Sequence, residues 1–386
     1  MLKALTGRVF RTRAVRVRAP RMDHVAGPGE PEMTVIVADT RTALSIALNP
    51  EVAVGDAYMD GRLTVEGGDI YDFLDLVTSQ LAAHPLPRGP LWRWKRRLDQ
   101  ANDRLRARSN VHHHYDLTVD FYRLFLDEDL QYSCAFFENP DATLEQAQAA
   151  KKQRLIDKLL LKEGQRALDI GCGWGGLGLS MARAGATVTG VTLSTEQHAT
   201  ARARAEAAGL ADRADFRLQD YRDLEGPFDR IVSVGMFEHV GLPNYDAYFA
   251  GIARLLADDG VAVVHAIGRK TPPSRTQPWI AKHIFPGGYI PSLSEVLPAI
   301  ERSGLWVTDM EILRLHYART LRIWRERFLA RRDEAVAMYD ERFCRMWEFY
   351  LASSEVAFRE TGHMVWQIQL AKHQRAVPFT RDYLCA

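Results

Sequence analysis

Residues 166–176 constrain the fold more than any other stretch of the chain. An apolar run, Ala167-Leu168-Asp169-Ile170, meets a glycine cluster, Gly171-Cys172-Gly173-Trp174-Gly175-Gly176, and then a segment of helical character. Glycine lets the chain turn tightly and lets backbone amides approach a ligand with no Cβ in the way. A strand, a glycine turn and a helix in that order open a doubly wound sheet. The residues that follow agree: β-forming runs recur at 187–192, 215–218, 230–234 and 261–266, with helix-like segments between most of them. A further pair at 306–312 and 363–371 is placed to close the sheet.

At 386 residues, 47% of them hydrophobic, the chain is long for one domain and comfortable for two. Residues 1–84 mix short apolar runs with turns at Gly27-Pro28-Gly29 and Gly67-Gly68 and read as a small α+β domain. The break Pro85-Leu86-Pro87-Arg88-Gly89-Pro90 leads into a basic stretch headed by Trp92 and Trp94, expected to be a linker helix over 85–110. Residues 111–386 then form the α/β domain, with a helical cap insertion around 270–360 over the sheet edge where ligands bind.

Fifty basic residues against forty-nine acidic ones leave a net charge of +1, so no global field selects a polyanion. Four cysteines, Cys134, Cys172, Cys344 and Cys385, lack the close spacing of a metal site, and no metal is expected. The basic N-terminus has no apolar core of the signal-peptide kind, and no apolar run approaches the ~20 residues of a membrane span. The expected location is the cytoplasm.

Gly171, Gly173 and Gly176 fit the dinucleotide spacing, so glycines alone leave the cofactor open. Asp169 decides against a pyrophosphate, which its carboxylate would repel, and for a cofactor bearing an amino-acid ammonium group. The next strand ends Thr192-Leu193-Ser194 rather than in an acid. Ser194 and Gln197 could hold a ribose, or equally form a helix capping box. Asp220 and Tyr221 after the third strand offer an acceptor for an adenine amino group and an aromatic face.

From His113 to the C-terminus the chain resembles the cyclopropane-fatty-acyl-phospholipid synthases and the related mycolic acid cyclopropane synthases. The resemblance runs through His114-Tyr115-Asp116, Tyr132-Ser133-Cys134, the glycine motif, Thr192-Leu193-Ser194, Met236-Phe237-Glu238-His239-Val240-Gly241, His265-Ala266-Ile267-Gly268, Phe285-Pro286-Gly287-Gly288, His316-Tyr317-Ala318-Arg319 and Phe349-Tyr350-Leu351. The phrase Gly55-Asp56-Ala57-Tyr58-Met59-Asp60-Gly61 looks like the accessory domain of the phospholipid-acting members, which the mycolic acid enzymes lack. The first forty residues match no pattern of the family.

The resemblance implies a Rossmann-like S-adenosylmethionine-dependent methyltransferase domain, with S-adenosylmethionine contacted by Tyr132, Ser133, Asp169, Gly171, Gly173, Thr192, Leu193, Ser194, Gln197, Asp220 and Tyr221. It also implies an active-site bicarbonate held by Cys134, Glu238, His265 and Tyr350 and by the backbone around Ile267. The implied reaction adds a methylene group to the cis double bond of an unsaturated acyl chain in membrane phospholipid. Attack on the sulfonium methyl leaves a carbocation, which loses a proton from the new methyl group to a base in a dry cavity. On this reading Glu238 and His265 orient the bicarbonate and accept its displaced proton, Tyr350 donates a hydrogen bond, and Cys134 shapes the pocket. A fatty-acyl C-methyltransferase giving methyl-branched, methylene or furan-precursor chains is the alternative. The partner is then the phospholipid bilayer, met at its inner face. Arg93, Lys95, Arg96, Arg97, Arg104, Arg106 and Arg108 with the two tryptophans suit an anionic surface, though a solvated connecting helix reads the same. No nucleic-acid partner is expected, and a homodimer would add membrane contacts by avidity.

Overall fold

The computed structural model describes residues 1–84 and 117–384, so the basic linker with Trp92 and Trp94, the His113-to-Asp116 motif and Cys385 lie outside the described residues. The chain divides into two compact units. The first comprises the described part of Met1–Trp92 with Thr276–Pro286 and Ala318–His363, and the second holds the remainder.

In the second unit, β5 (Arg166–Ile170), β6 (Thr187–Thr192), β7 (Ala214–Leu218), β8 (Phe228–Val234), β9 (Leu256–Arg269), β10 (Trp306–Leu313) and β11 (His363–Ala371) form one sheet in the order β10-β11-β9-β8-β5-β6-β7. The β9-β8-β5-β6-β7 ladder is parallel and β10 pairs antiparallel with β11. The expected α/β class is the observed one. Parallel strands covered on both faces read as continuous apolar runs, and here the alternation sorts them into two cores. Leu168, Ile170, Ile231, Ala262 and Val264 pack on one face, and Ala167, Val188, Val232 and Val263 on the other. The carboxyl end of β5, between β6 and β8, is the topological switch point where such sheets bind ligands. The helix Leu144–Leu159, started by a Thr143/Gln146 capping box, turns Gln148, Lys151, Leu155 and Lys158 inward on one stripe.

The first unit carries a four-stranded sheet, β2-β1-β3-β4, built from β1 (Ala14–Ala19), β2 (Met22–Ala26), β3 (Pro31–Val37) and β4 (Leu63–Glu66). It is α+β, as expected. Two segments of the expected cap belong to this same unit, and the Gly55-to-Gly61 phrase is what they pack on. Asp56 accepts from Lys282 Nζ at 2.7 Å and lies 2.7 Å from His283 Nε2, Tyr58 donates to Glu348 Oε2 at 2.6 Å, and Arg342 donates to Asp60 at 2.9 Å. Gly55 faces the wholly buried Trp279, where an added Cβ would stand 2.4 Å from the indole nitrogen. Replacing Gly55 with valine therefore overpacks a rigid indole, at a cost of about 2 kcal/mol or more against a few tenths gained in helix propensity. The expected result is a clear fall in melting temperature, read by calorimetry. Among the described residues no helix is long and apolar enough to cross a membrane.

Candidate active site

The glycine turn after β5 takes its shape from left-handed backbone, with φ of +80° at Gly171, +53° at Gly173 and +83° at Gly175. The amides of Gly171 and Cys172 both donate to Val191 O, at 2.9 and 3.0 Å, tying the turn to β6. Gly176 opens the following helix, and a Cβ there would collide with Gln131 Nε2 at 2.3 Å. The turn thus requires glycine at 171, 173 and 175, and close approach requires it at 176.

A cleft opens at the carboxyl ends of β5, β6, β7 and β8. Its lining includes Tyr132, Ser133, Asp169, Gly171, Gly173, Thr192, Leu193, Gln197, Asp220 and Tyr221, ten of the eleven residues assigned to the cofactor. Ser194 is not part of the lining: its side chain accepts from Gln197 N at 3.3 Å and caps the helix Thr195–Ala207. Of the two readings open for Ser194, the structure has the cap. Gln197 meets the cleft as an oriented donor, because its Oε1 already accepts from Thr192 Oγ1 at 2.9 Å. Asp220 is gripped by Arg222 at 2.9 and 2.6 Å, which fixes its carboxylate at the cleft.

Asp169 is buried at the floor of the cleft. Burial pushes its carboxyl up to about 7, against the pull of the Lys151 ammonium. A cationic ligand group arriving beside it would restore the carboxylate.

Lys151 is a site residue that the sequence did not single out. It is fully buried, and its Nζ donates to Gln131 Oε1 at 2.7 Å and to Ser133 Oγ at 2.8 Å, both on cleft-lining residues. Burial pushes it down to about 8. Gln148, one turn earlier, donates to the carbonyls of Gln131 and Ser133. An amphipathic helix whose inward stripe carries Gln and Lys was the available signal. Replacing Lys151 with methionine removes charge-assisted bonds worth about 1.5–3 kcal/mol from the wall holding Tyr132 and Ser133. Cofactor affinity should fall about tenfold or more, measured by titration calorimetry.

Beyond the cleft, β8 runs into the short helix Phe237–His239, which buries Glu238. Glu238 Oε1 accepts from Ile267 N at 2.6 Å, while Oε2 is buried without a hydrogen-bond partner among the described residues. Burial outweighs the Ile267 amide and pushes this carboxyl up to about 7. The Ile267 amide, whose backbone the resemblance implies at an anion, donates here to Glu238. His265 lies two residues earlier on β9, buried, with its carbonyl accepting from Gly235 N at 2.9 Å and its Nδ1 3.1 Å from Gln367 Nε2. Burial, helped by the Lys151 and Lys158 charges, holds its imidazole neutral. Cys134 is fully buried, donates to Ala135 O at 3.3 Å and has its thiol pushed far up by burial, which fits a shaping residue and not a nucleophile. Tyr350 belongs to the first unit, on the helix Glu341–Val356, its ring 5.8 Å from Phe285 and 5.1 Å from Trp347. Its part in the site stays as the resemblance implies it.

A buried carboxyl with one orphaned oxygen, beside a cofactor cleft with its own buried carboxyl, is equipped for group transfer with proton removal in a dry pocket. Comparison with known proteins agrees. The family described as mycolic acid cyclopropane synthetase matches residues 102–368. A probable fatty acid methyltransferase of Pseudomonas putida is 36% identical over 370 residues, covering 92% of each chain. The cyclopropane-fatty-acyl-phospholipid synthase of Escherichia coli (strain K12) is 40% identical over 329 residues, covering 83% of each. Among solved structures, a mycolic acid cyclopropane synthase complexed with SAH and CTAB superposes with a TM-score of 0.66 at 34% identity, covering 70% of this chain and 99% of that one. With the match spanning more than half of its length, this chain belongs to the mycolic acid cyclopropane synthetase family.

Proposed function

We propose that the protein transfers a methylene group from S-adenosylmethionine to the cis double bond of an unsaturated acyl chain in membrane phospholipid, forming a cyclopropane ring. The observation that carries this reading is the buried Glu238 carboxyl, whose Oε2 has no hydrogen-bond partner among the described residues and whose proton is held near neutrality. Ring closure must strip a proton from the new methyl before water reaches the cation, which calls for an acceptor in a dry pocket.

In the cleft, Asp169 would face the ammonium of the methyl donor, and Gln197 and Asp220 would supply a donor and an acceptor for the nucleoside. S-adenosylmethionine brings the electrophilic methyl. The Glu238 pocket fits a bicarbonate by its chemistry, since the Glu238 carboxylate can accept from the bicarbonate O–H and the neutral imidazole of His265, two residues before Ile267 on β9, can donate to it. Cys134, Glu238 and His265 are the residues of the second unit that would hold it, and it would supply a base that is harder to alkylate than a carboxylate. Burial of Glu238, His265 and Cys134 keeps water out while the cation lives.

Phospholipid is favoured as substrate by coverage: the match to the Escherichia coli phospholipid enzyme includes 83% of both chains, first unit included in large part. The bilayer is met from the cytoplasmic side by a peripheral, self-associating protein. The alternative product class is favoured by the Pseudomonas putida relative, named as a fatty acid methyltransferase. Incubation with trideuteromethyl cofactor and monounsaturated phospholipid vesicles separates the two. A product that keeps two deuteriums and resists mild hydrogenation and disulfide addition is the cyclopropane. Retention of all three deuteriums, or an isobaric product that reacts as an alkene, would replace ring formation by the alternative.

A further inference from the structure

A run of buried polar side chains leaves His265 on the side away from the cofactor cleft. Gln367, on β11 and 1% exposed, has its Nε2 3.1 Å from His265 Nδ1. Its Oε1 accepts from Lys158 Nζ at 2.7 Å, and the same ammonium donates to Glu311 Oε2 at 2.6 Å. Glu311, on β10, also takes both arms of Arg154, at 2.7 and 2.6 Å. Burial works against the Glu311 charge, but the bonds from Arg154 and Lys158 overcome it and hold this carboxyl down at about 2. Gln369, two residues along β11, anchors the backbone of Lys158 by donating to its carbonyl at 2.6 Å. Lys158 is 1% exposed and ion-paired, so it is a fixed ammonium with donors only.

That fact propagates. An ammonium can face only the carbonyl end of Gln367, so the amide NH2 must face His265, and a ring nitrogen facing an NH2 must offer a lone pair. Nδ1 is therefore the acceptor, and a neutral imidazole then carries its hydrogen on Nε2. The opposite tautomer would need Gln367 reversed, with its NH2 against the Lys158 ammonium, a buried donor-to-donor contact.

We infer that Lys158, acting through Gln367, is a positioning residue that locks His265 in the Nε2–H tautomer, so that His265 meets the reacting groups as a hydrogen-bond donor and not as a base. The inference rests on the proposed role of the Glu238 pocket for its meaning in the reaction. It divides the labour expected of the pair: His265 orients, and Glu238 Oε2 is the side-chain atom that takes up the proton. A second proton on His265 would add an unpaired charge to a site already facing the Lys151 and Lys158 ammoniums.

The test is the tautomer itself, read in the full-length protein without lipid. The chain has 12 histidines, so the His265 signals in a 15N-histidine-labelled sample are assigned as those absent from a His265→Gln variant. Two-bond 1H–15N correlations should give Nδ1 the shift of a lone-pair nitrogen and Nε2 that of a protonated one. Gln367→Glu, of the same shape, accepts from Lys158 and from Nδ1 alike and should move the ring hydrogen to Nδ1. That variant should lose roughly tenfold to a hundredfold in kcat with KM for the cofactor unchanged. Lys158→Met should give a mixture of tautomers, and Lys158→Arg should restore the wild-type pattern. A protonated Nδ1 in the wild-type protein, or a Gln367→Glu spectrum unchanged at His265, overturns the inference even if the variants lose activity. Because the spectrum needs no substrate, failure of methylene transfer would overturn the proposed function and leave this result standing on its own.

Discussion

Replacing Glu238 with glutamine should lower the kcat of alkene alkylation by about 10²–10⁴-fold while leaving cofactor affinity within about twofold of wild type. Glutamine has the same shape and can keep the Ile267 amide on its oxygen, so the 2.6 Å bond that positions the side chain survives. What it lacks is an oxygen at Oε2 able to take up a proton and give it away. The cofactor cleft is lined by His239 and Met236 but not by Glu238, which is why binding should be spared. The pH profile supplies a second readout. Burial raises the Glu238 carboxyl to about 7, so the fraction of carboxylate, the form that accepts a proton, grows as pH rises through that value. At saturating cofactor the wild-type kcat should climb through a limb near 7, and the glutamine variant should show a flat profile at its low rate. A variant retaining more than a tenth of wild-type kcat would remove Glu238 from the chemical step.

The part of this site that was legible in the sequence is the part written in local pattern. β5 and β6 fall where short β-forming runs, Ala167–Ile170 and Thr187–Thr192, place them. β9 is longer than its apolar run, starting at Leu256, since Asp258 and Asp259 read as a turn although the backbone there is extended. The glycines, Asp169 and Asp220 stand at fixed offsets from strand ends, so chain order alone brings them to one edge of the sheet. Ser194 illustrates the limit: Ser-x-x-Gln is the same four letters whether the serine caps a helix or touches a ribose, and only the geometry decides.

The residues that stayed hidden act across the fold. Lys151 and Lys158 look like ordinary solvent-facing lysines on a charged helix, yet the helix turns them inward because polar partners wait there: Ser133 and Gln131 for one, Glu311 and Gln367 for the other. Gln367 and Gln369 alternate in an otherwise apolar strand, a spacing that reads as a solvent-facing side although both are buried. The joining of the N-terminal helix Pro50–Met59 to the cap segments is equally non-local. Asp56, Tyr58 and Asp60 meet partners 226, 290 and 282 residues further on, and no periodicity records such pairs. The family phrase around Tyr58 was visible as a word, and the structure shows what the word does: it seats the helix that carries Tyr350.

Replacing Asp169 with asparagine should weaken S-adenosylmethionine binding by at least about thirtyfold at pH 8, the fold equivalent of the ~2 kcal/mol lower bound for removing one partner of a buried charge pair. The pH dependence separates this loss from misfolding. In the free protein burial holds the Asp169 carboxyl at about 7, whereas an ammonium beside it favours the carboxylate. Binding must therefore expel a proton below that value, and wild-type affinity should fall by about tenfold for each unit of pH below about 7 and level off above it. The asparagine variant, having no proton to lose, should bind weakly with no such slope. Stability should move the opposite way. The folded pKa lies above the unfolded one, so the folded state holds the extra proton, and stability declines as pH rises from about 4 through about 7. Asparagine removes that burden, so above pH 7 the unliganded variant should melt at a higher temperature than wild type while binding the cofactor less. A variant that bound tightly with a flat pH profile would assign the cofactor's ammonium to some other group.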